Sequence, residues 1–315
     1  MNKPYAYYEH KKLKDFKELL TLNLGDKKDE VAFIFNNAQK EEIRKTYNDF
    51  NNDVRILSNY LSNNYKNKHI ALIGENSYNY LVLFFSIIIS KNVAVLIDKD
   101  WSTDKIKELL KKSDSKIIYY SKNYCDLEVI EKKYKSYYID DIDILIKDNK
   151  GLEFKDNKAK DECRVIFFTS GTTGANKGVM LSEKNILSDI YGASCLFKPD
   201  GLVFSCLPFH HAFGLITSVL KPFYYGVPVF LNNSLKYLIN EIKKSKPKKW
   251  YNYFLRSLFA PFNCILLGII CILLYTDVYL SNPPSYANII VILILVFAST
   301  LLDFFEEFRS NKAAE

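Results

Sequence analysis

A segment rich in glycine and hydroxyl groups is the part of this sequence best suited to chemistry. It reads TSGTTGANKG from Thr169 to Gly178 and follows an apolar stretch that predicts a strand. Glycine lets backbone N–H groups turn toward an anion, small hydroxyl side chains add donors, and the single lysine adds positive charge. The segment therefore predicts a binding site for the phosphates of a nucleotide. Its predicted nucleotide-binding residues are Thr169, Ser170, Gly171, Thr172, Thr173, Gly174 and Lys177.

The P-loop pattern GxxxxGK[ST] does not describe this segment. Asn176 stands five residues after Gly171, and Lys177 is followed by Gly178. A surface turn without a ligand is the simplest alternative. The order of these residues directly after an apolar strand favours a nucleotide site of another kind.

A second segment, LPFHHAFG from Leu207 to Gly214, contains two adjacent histidines. Both histidines are candidate site residues. Neither His210 nor His211 has an acidic partner that the sequence identifies. Packing at the start of a helix is the alternative for both.

These segments resemble the adenylate-forming superfamily, which includes acyl-CoA synthetases, acyl carrier protein ligases and the adenylation domains of peptide synthetases. The superfamily signature is TSGTTG, two variable residues and KG, and this chain matches it with Asn176 where proline is frequent. Residues 207–214 resemble the next motif, and residues 70–80 (IALIGENSYNY) resemble the N-terminal subdomain. The resemblance covers roughly residues 20–247.

The resemblance implies ATP-dependent activation of a carboxylic acid. The carboxylate attacks the α-phosphorus of ATP, pyrophosphate leaves, and the acyl adenylate passes its acyl group to a thiol of CoA or an acyl carrier protein. The implied cofactors are ATP and Mg²⁺. The resemblance places His211 beside the acyl pocket, with Phe213 and Gly214 shaping its wall, and no catalytic residue is assigned.

Several parts of the superfamily have no counterpart in this sequence. They are an acidic motif that helps to hold magnesium, an aspartate that binds the ribose hydroxyls, a hinge, and a C-terminal subdomain with the lysine used in adenylation. After Pro247 the sequence becomes apolar instead. We therefore expect an incomplete ligase domain over residues 1–247, with or without activity of its own.

Short apolar runs alternate with helical patterns along the N-terminal part of the chain, and these elements must position the phosphate loop and the histidine segment. The alternation predicts an α/β fold with a largely parallel sheet. The predicted strands are Val31–Phe35, His69–Ile73, Val93–Ile97, Lys116–Tyr120, Arg164–Thr169, Leu202–Leu207 and Val227–Leu231. The predicted helices are Asn48–Ser62, Ser77–Ser90, Thr103–Lys112 and one that begins after Ser182. The run Leu81–Ile89 is too short to span a bilayer and predicts a buried helix.

Two apolar stretches predict a transmembrane hairpin near the C-terminus. Residues 258–275 carry no charge and cover about 27 Å as a helix, close to the thickness of a bilayer core. Residues 287–302 form the second stretch, and prolines interrupt the sequence between the two. Basic residues flank the pair, so we expect a membrane location with the soluble N-terminal part and the C-terminus on the cytoplasmic side. Two buried helices of a soluble domain are the alternative.

The tail also resembles a second family. Residues 252–263 (NYFLRSLFAPFN) and 307–315 (EFRSNKAAE) resemble the first transmembrane hairpin of P-type ATPases of the magnesium-transporting group. The phosphorylated aspartate, nucleotide domain and ion-binding helices of that family have no counterpart here. The sequence therefore predicts two domains, residues 1–247 and 248–315, joined by gene fusion, frameshift or faulty assembly of the DNA.

Composition excludes other classes of function. Lys and Arg number 43 against 36 Asp and Glu, a net charge of +7, but the basic residues are scattered and predict no nucleic-acid partner. The six cysteines form no metal-binding spacing. The expected partners are a carboxylic acid, CoA or an acyl carrier protein, and a lipid bilayer.

Three hypotheses about function follow. The first is a membrane-tethered, adenylate-forming ligase fragment. The second is a fragment of a P-type cation-transporting ATPase fused to a non-catalytic nucleotide-binding module. The third is a tethered binding module that keeps the fold without the reaction. Carboxylate-dependent exchange of pyrophosphate into ATP separates the first from the third, and resequencing of the locus bears on the second.

Overall fold

The computed structural model describes residues 10–37, 39–122, 133–169, 177–232, 261–280 and 284–314. The chain divides into two compact units, Met1–Tyr237 and Leu238–Glu315. The domain boundary predicted near residue 247 lies outside the described residues. So do five residues of the predicted phosphate loop: Ser170, Gly171, Thr172, Thr173 and Gly174.

The strands of the N-terminal unit form two mixed sheets. The described strands are β1 (Val31–Asn36), β2 (Glu42–Thr46), β3 (His69–Ile73), β4 (Val93–Ile97), β5 (Ile117–Tyr120), β6 (Lys135–Tyr138), β7 (Cys163–Thr169), β8 (Lys177–Ser182), β9 (Val203–Ser205) and β10 (Val229–Leu231). The larger sheet has the order β6-β5-β3-β4-β7-β8 and the smaller sheet β2-β1-β10-β9. Among the described strands only β8 and β2, each at the edge of its sheet, pair antiparallel to their neighbours. The α/β class is confirmed, but the strands divide between two sheets instead of one.

Helices begin where short polar side chains cap them. The described helices are α1 (Phe16–Thr21), α2 (Tyr47–Asn64), α3 (Tyr78–Ile89), α4 (Thr103–Lys112), α5 (Ile142–Asp148), α6 (Glu183–Leu196), α7 (Ala212–Leu215) and α8 (Lys221–Tyr225). The Ser77, Ser102 and Ser182 hydroxyls accept from N–H groups in the first turns of α3, α4 and α6. Such caps satisfy donors that the helix leaves free, which explains why the predicted starts are correct.

Helix α3 is the buried centre of the N-terminal unit, as Leu81–Ile89 predicted. Ile70 and Leu72 on one face of β3 share a core with α2 and α3, whereas Ala71 and Ile73 on the other face pack with α4. This division follows from the two-residue period of a strand. Helices therefore cover both faces of the larger sheet.

An aromatic cluster joins the smaller sheet to the helices. The ring centroid of Phe50 lies 4.8 Å from Phe33, 5.1 Å from Phe85, 5.4 Å from Phe223 and 5.8 Å from Tyr78. These rings come from β1, α2, α3 and α8, so the cluster links segments that are distant in sequence.

The C-terminal unit contains two packed helices, α9 (Pro261–Leu273) and α10 (Ala287–Ala314), with a π-helical turn after α9. Ile270, Ile289 and Val296 form its small core, and Asn263 Nδ2 donates to Thr300 Oγ1 at 3.1 Å.

The predicted transmembrane hairpin is not found. Within the described residues, no helix combines the length and apolar character required to cross a bilayer. Within the described part of the first stretch, residues 261–273 are α-helical and the chain continues as a π-helix over residues 274–279. The second helix continues past its apolar part into charged sequence that begins at Asp303.

Candidate functional site

The two ends of the predicted phosphate loop lie side by side. Thr169 is the last residue of β7, Lys177 is the first of β8, and the two are paired in the antiparallel ladder. Residues 170–176 lie outside the described part of the chain. Both end residues are exposed. This strand pair therefore places both ends of the loop at the carboxyl end of β7, with the Lys177 side chain accessible to an anion.

The carboxyl ends of several strands meet at this edge of the larger sheet, because β3, β4, β5 and β7 run parallel. The chain leaves β3 at Gly74 and β4 at Asp98. Ligands of open α/β sheets bind outside the carboxyl ends of the strands. The sheet therefore places Asp98 on the same edge as the ends of the phosphate loop.

Asn76 attaches the segment 207–214 to this edge. Its Nδ2 donates to the Leu207 carbonyl at 2.7 Å, and its Oδ1 accepts from the Phe209 N–H at 3.0 Å. Asn76 and Phe209 are both buried. Leaving a buried polar group unpaired costs roughly 1–3 kcal/mol, so the amide of Asn76 strongly favours one conformation of this segment.

The structure supplies an acidic partner for one histidine. His210 Nε2 lies 3.5 Å from Asp98 Oδ2, and the two side chains are 13% and 19% exposed. Burial lowers the pKa of His210 below its ordinary value. The negative charge of Asp98 acts in the opposite direction but has the smaller effect. Burial therefore favours the neutral form of the His210 ring.

The other predicted residues of this segment differ in exposure. His211 and Phe213 are exposed, and Gly214 is buried. The ring centroids of His210 and His211 are 4.4 Å apart. The assignment of His211, Phe213 and Gly214 to an acyl pocket stays a prediction.

Gly214 has a packing role that the sequence did not reveal. A Cβ atom on Gly214 would stand 2.7 Å from the Pro208 carbonyl oxygen and 2.9 Å from Leu207 Cβ. The start of α7 therefore approaches the preceding backbone more closely than any other residue type permits.

The described residues fit the phosphates of ATP better than they fit an isolated metal ion. Lys177 provides an accessible cation beside the loop. In the part of the chain that the structure describes, no group of three or more His, Cys, Asp or Glu side chains could hold a metal. Mg²⁺ in nucleotide enzymes is bound largely by phosphates and water, with one or two carboxylates. A magnesium ion brought by ATP is compatible with this site.

Sequence reasoning missed Asn76 and Asp98. Each follows the carboxyl end of a strand that was predicted correctly, β3 and β4. Polar residues at that position were an available signal, because the carboxyl edge of a parallel sheet is the usual ligand site.

Comparisons with known proteins concern mainly the N-terminal unit. A family profile described as "AMP-binding enzyme" matches residues 22–252. A luciferin 4-monooxygenase from Photuris pensylvanica is 26% identical over 183 residues, which are 49% of this chain and 33% of that protein. A medium-chain-fatty-acid–[acyl-carrier-protein] ligase from Teredinibacter turnerae is 31% identical over 94 residues, 29% of this chain and 13% of that protein. The chain thus spans a third or less of these relatives.

Solved structures share the fold at low identity. The N-terminal domain of FACL13 from Mycobacterium tuberculosis has a TM-score of 0.61 at 18% identity, over 74% of this chain and 61% of that one. A fatty acid AMP ligase from Legionella pneumophila has a TM-score of 0.59 at 19% identity, over 73% of this chain and 41% of that one. An o-succinylbenzoate coenzyme A synthetase from Bacillus subtilis, in complex with ATP and magnesium, has a TM-score of 0.56 at 17% identity, over 72% of this chain and 60% of that one.

Proposed function

Because the chain belongs to the AMP-binding enzyme family, we propose that its N-terminal unit binds ATP and takes part in acyl-adenylate formation of the CoA-ligase or acyl-carrier-protein-ligase type. The substrates would be ATP and a carboxylic acid, and the acyl acceptor would be a thiol of CoA or an acyl carrier protein. The relatives named as ligases support this type of reaction.

The proposed reaction needs positive charge near the phosphates. A carboxylate oxygen forms a bond to the α-phosphorus, the bond between the α-phosphorus and the bridging oxygen breaks, and pyrophosphate leaves with that electron pair. Lys177 would stabilise the negative charge that gathers on the leaving pyrophosphate. Mg²⁺, when bound, would supply further positive charge to the same phosphates.

The observation that carries the proposal is the pairing of Thr169 with Lys177 at the carboxyl end of β7. It holds a loop with the composition of a phosphate site at the edge where ligands of parallel sheets bind.

Replacement of Lys177 by alanine is expected to weaken binding of Mg-ATP by at least about tenfold, because a charge-assisted hydrogen bond contributes roughly 1.5–3 kcal/mol. Isothermal titration calorimetry on the full chain measures this. The matched control is Lys184→Ala, which removes the same charge from an exposed position beyond the other end of β8. Equal, poor binding by the wild type and by Lys177→Ala would contradict the proposal.

Pyrophosphate exchange separates catalysis from binding alone. If the chain performs the adenylation step, labelled pyrophosphate enters ATP only when a carboxylic acid is present. ATP binding without exchange would favour the binding module that keeps the fold without the reaction.

We propose in addition that the C-terminal unit associates with a lipid bilayer, with both chain ends on the cytoplasmic side. Exposed apolar side chains occur on both helices: Ile265, Ile269, Ile272, Ile290, Val291, Leu293, Ile294, Leu295 and Phe297. The exposed apolar side chains of α10 are too closely spaced in sequence to share one face of the helix. The polar side chains of Asn263 and Thr300, by contrast, form a hydrogen bond with each other. A helix apolar on all sides is typical of apolar surroundings.

The resemblance of residues 252–315 to P-type ATPases stays a prediction, because the matched family profile ends at residue 252.

Flotation of the full chain with vesicles of phosphatidylcholine and phosphatidylglycerol tests this association. The wild type is expected to float, and the double variant Ile265→Glu, Ile294→Glu is expected to lose at least about tenfold in the bound fraction. The reason is that each isoleucine contributes roughly 1.5–3 kcal/mol when it leaves water. Ile144→Glu, at an exposed position of α5, is the control. A wild type that stays with the unbound protein, or a double variant that floats equally well, would exclude a lipid-binding surface here.

A further inference from the structure

The contact between Asp98 and His210 joins two segments that both lie at the candidate site. Asp98 directly follows β4, and His210 lies in the loop that Asn76 attaches to the end of β3. The Nε2–Oδ2 distance of 3.5 Å is too long for a strong hydrogen bond but short enough for direct attraction between a carboxylate and an N–H dipole.

The charges around His210 come from both neighbouring elements. Asp98, Lys99 and Asp100 follow β4, and His211 is its neighbour in the loop. Glu75, after β3, lies 3.9 Å from Lys99 Nζ, which is also 2.7 Å from Asp100. Lys99 is thus already paired, and within the described residues Asp98 is the one acid in direct contact with the His210 ring.

A neutral imidazole carries one proton, on Nδ1 or on Nε2, and a carboxylate can only accept. With the proton on Nε2, the N–H bond can point at Asp98 and the contact is attractive. With the proton on Nδ1, the Nε2 lone pair faces a negative charge. The position of Asp98 therefore favours the first tautomer.

We propose that Asp98 is a positioning residue that holds the neutral His210 ring with its proton on Nε2, and that His210 in turn fixes the ring of His211. The centroids of the two rings are 4.4 Å apart with planes inclined by 51°, so a change in one ring restricts or releases the other. The role of a fixed His211 rests on the proposed function and on the predicted place of this exposed ring beside the acyl pocket.

Nitrogen-15 NMR of the histidine rings in the full chain, without nucleotide, tests the proposal directly. The chain has four histidines, so the signals can be assigned by single substitutions such as His210→Gln. The wild type is expected to show His210 almost wholly as the Nε2–H tautomer. In Asp98→Asn the population of the Nδ1–H tautomer should rise several-fold, and the pKa of His210 should fall further because the charge that opposes its lowering is lost.

Asp100→Asn is the matched control. It removes one negative charge from an exposed side chain that lies two residues after Asp98 and is not in direct contact with the His210 ring. His69, whose Nδ1 lies 2.5 Å from the Ser113 carbonyl oxygen, is the internal control and should not change in either variant. The proposal is overturned if Asp98→Asn leaves the His210 tautomer unchanged, or if Asp100→Asn changes it equally. If Asp98→Asn does not fold, the wild-type spectrum still decides, since a predominant Nδ1–H tautomer contradicts the proposal.

Addition of Mg-ATP separates this proposal from the proposed function. A wild type that does not bind ATP contradicts the proposed function, while the nucleotide-free spectra still report on Asp98 and His210. If ATP binds, its effect on the His211 signals should be smaller in Asp98→Asn than in the wild type. An equal effect in both would show that Asp98 does not position His211.

Discussion

Replacement of Phe50 by alanine is expected to lower the free energy of unfolding of the N-terminal unit by about 4 kcal/mol. The Phe50 side chain is fully buried, and its ring lies within 6 Å of four other aromatic rings, those of Phe33, Tyr78, Phe85 and Phe223. Removing it takes away apolar burial and leaves a cavity that the four remaining rings, held in three different elements, cannot easily fill. Urea denaturation followed by tyrosine and tryptophan fluorescence measures the change.

Phe213→Ala is the matched control for this prediction, because the same side chain is removed where it is 70% exposed. Surface substitutions usually change stability by less than about 0.5 kcal/mol. Similar losses for Phe50→Ala and Phe213→Ala would show that the aromatic cluster does not hold the two sheets and their helices together.

The buried strands could be predicted from the sequence, whereas the edge strands β2, β6 and β8 could not. β3 and β4 have the predicted bounds because continuous apolar runs are typical of strands covered on both faces. β2 (EIRKT) and β8 (KGVMLS) are half-exposed or exposed along most of their length. Neither sequence has the continuous apolar run of a strand that is covered on both faces. The division into two sheets depends on pairings such as Phe33 with Val229, which no local pattern encodes.

The candidate site was predictable in its chemistry and only partly in its geometry. The composition of residues 169–178 indicated a phosphate loop, and the structure places the two ends of that loop together. The contact between Asp98 and His210 joins residues far apart in the chain. Such a contact is set by the arrangement of parallel strands, so sequence spacing could not reveal it.

Gly214→Ala tests whether the close approach at the start of α7 maintains the histidine segment. The added Cβ would stand 2.7 Å from the Pro208 carbonyl oxygen, which is backbone and cannot turn away. Forcing extra atoms into a packed site typically costs about 1–3 kcal/mol. The displacement would fall on Leu207 and Pro208, next to the two hydrogen bonds from Asn76. We therefore expect a loss of about 2–3 kcal/mol in the free energy of unfolding and altered NMR signals of His210 and His211.

Gly192→Ala is a control for which the opposite change in the free energy of unfolding is expected. Gly192 lies in α6, and apart from its chain neighbours and the backbone of its own helix, no atom of the described residues comes within 4 Å of a Cβ built on it. Alanine in a helix is favoured over glycine by about 0.5–1 kcal/mol, so this variant should be slightly more stable than the wild type. The same methyl group is thus expected to have opposite effects at two helical glycines, because only the one at Gly214 would meet Leu207 and Pro208. If Gly214→Ala is as stable as Gly192→Ala and leaves the histidine signals unchanged, then the segment has room to relax, and Asn76 rather than Gly214 sets its conformation.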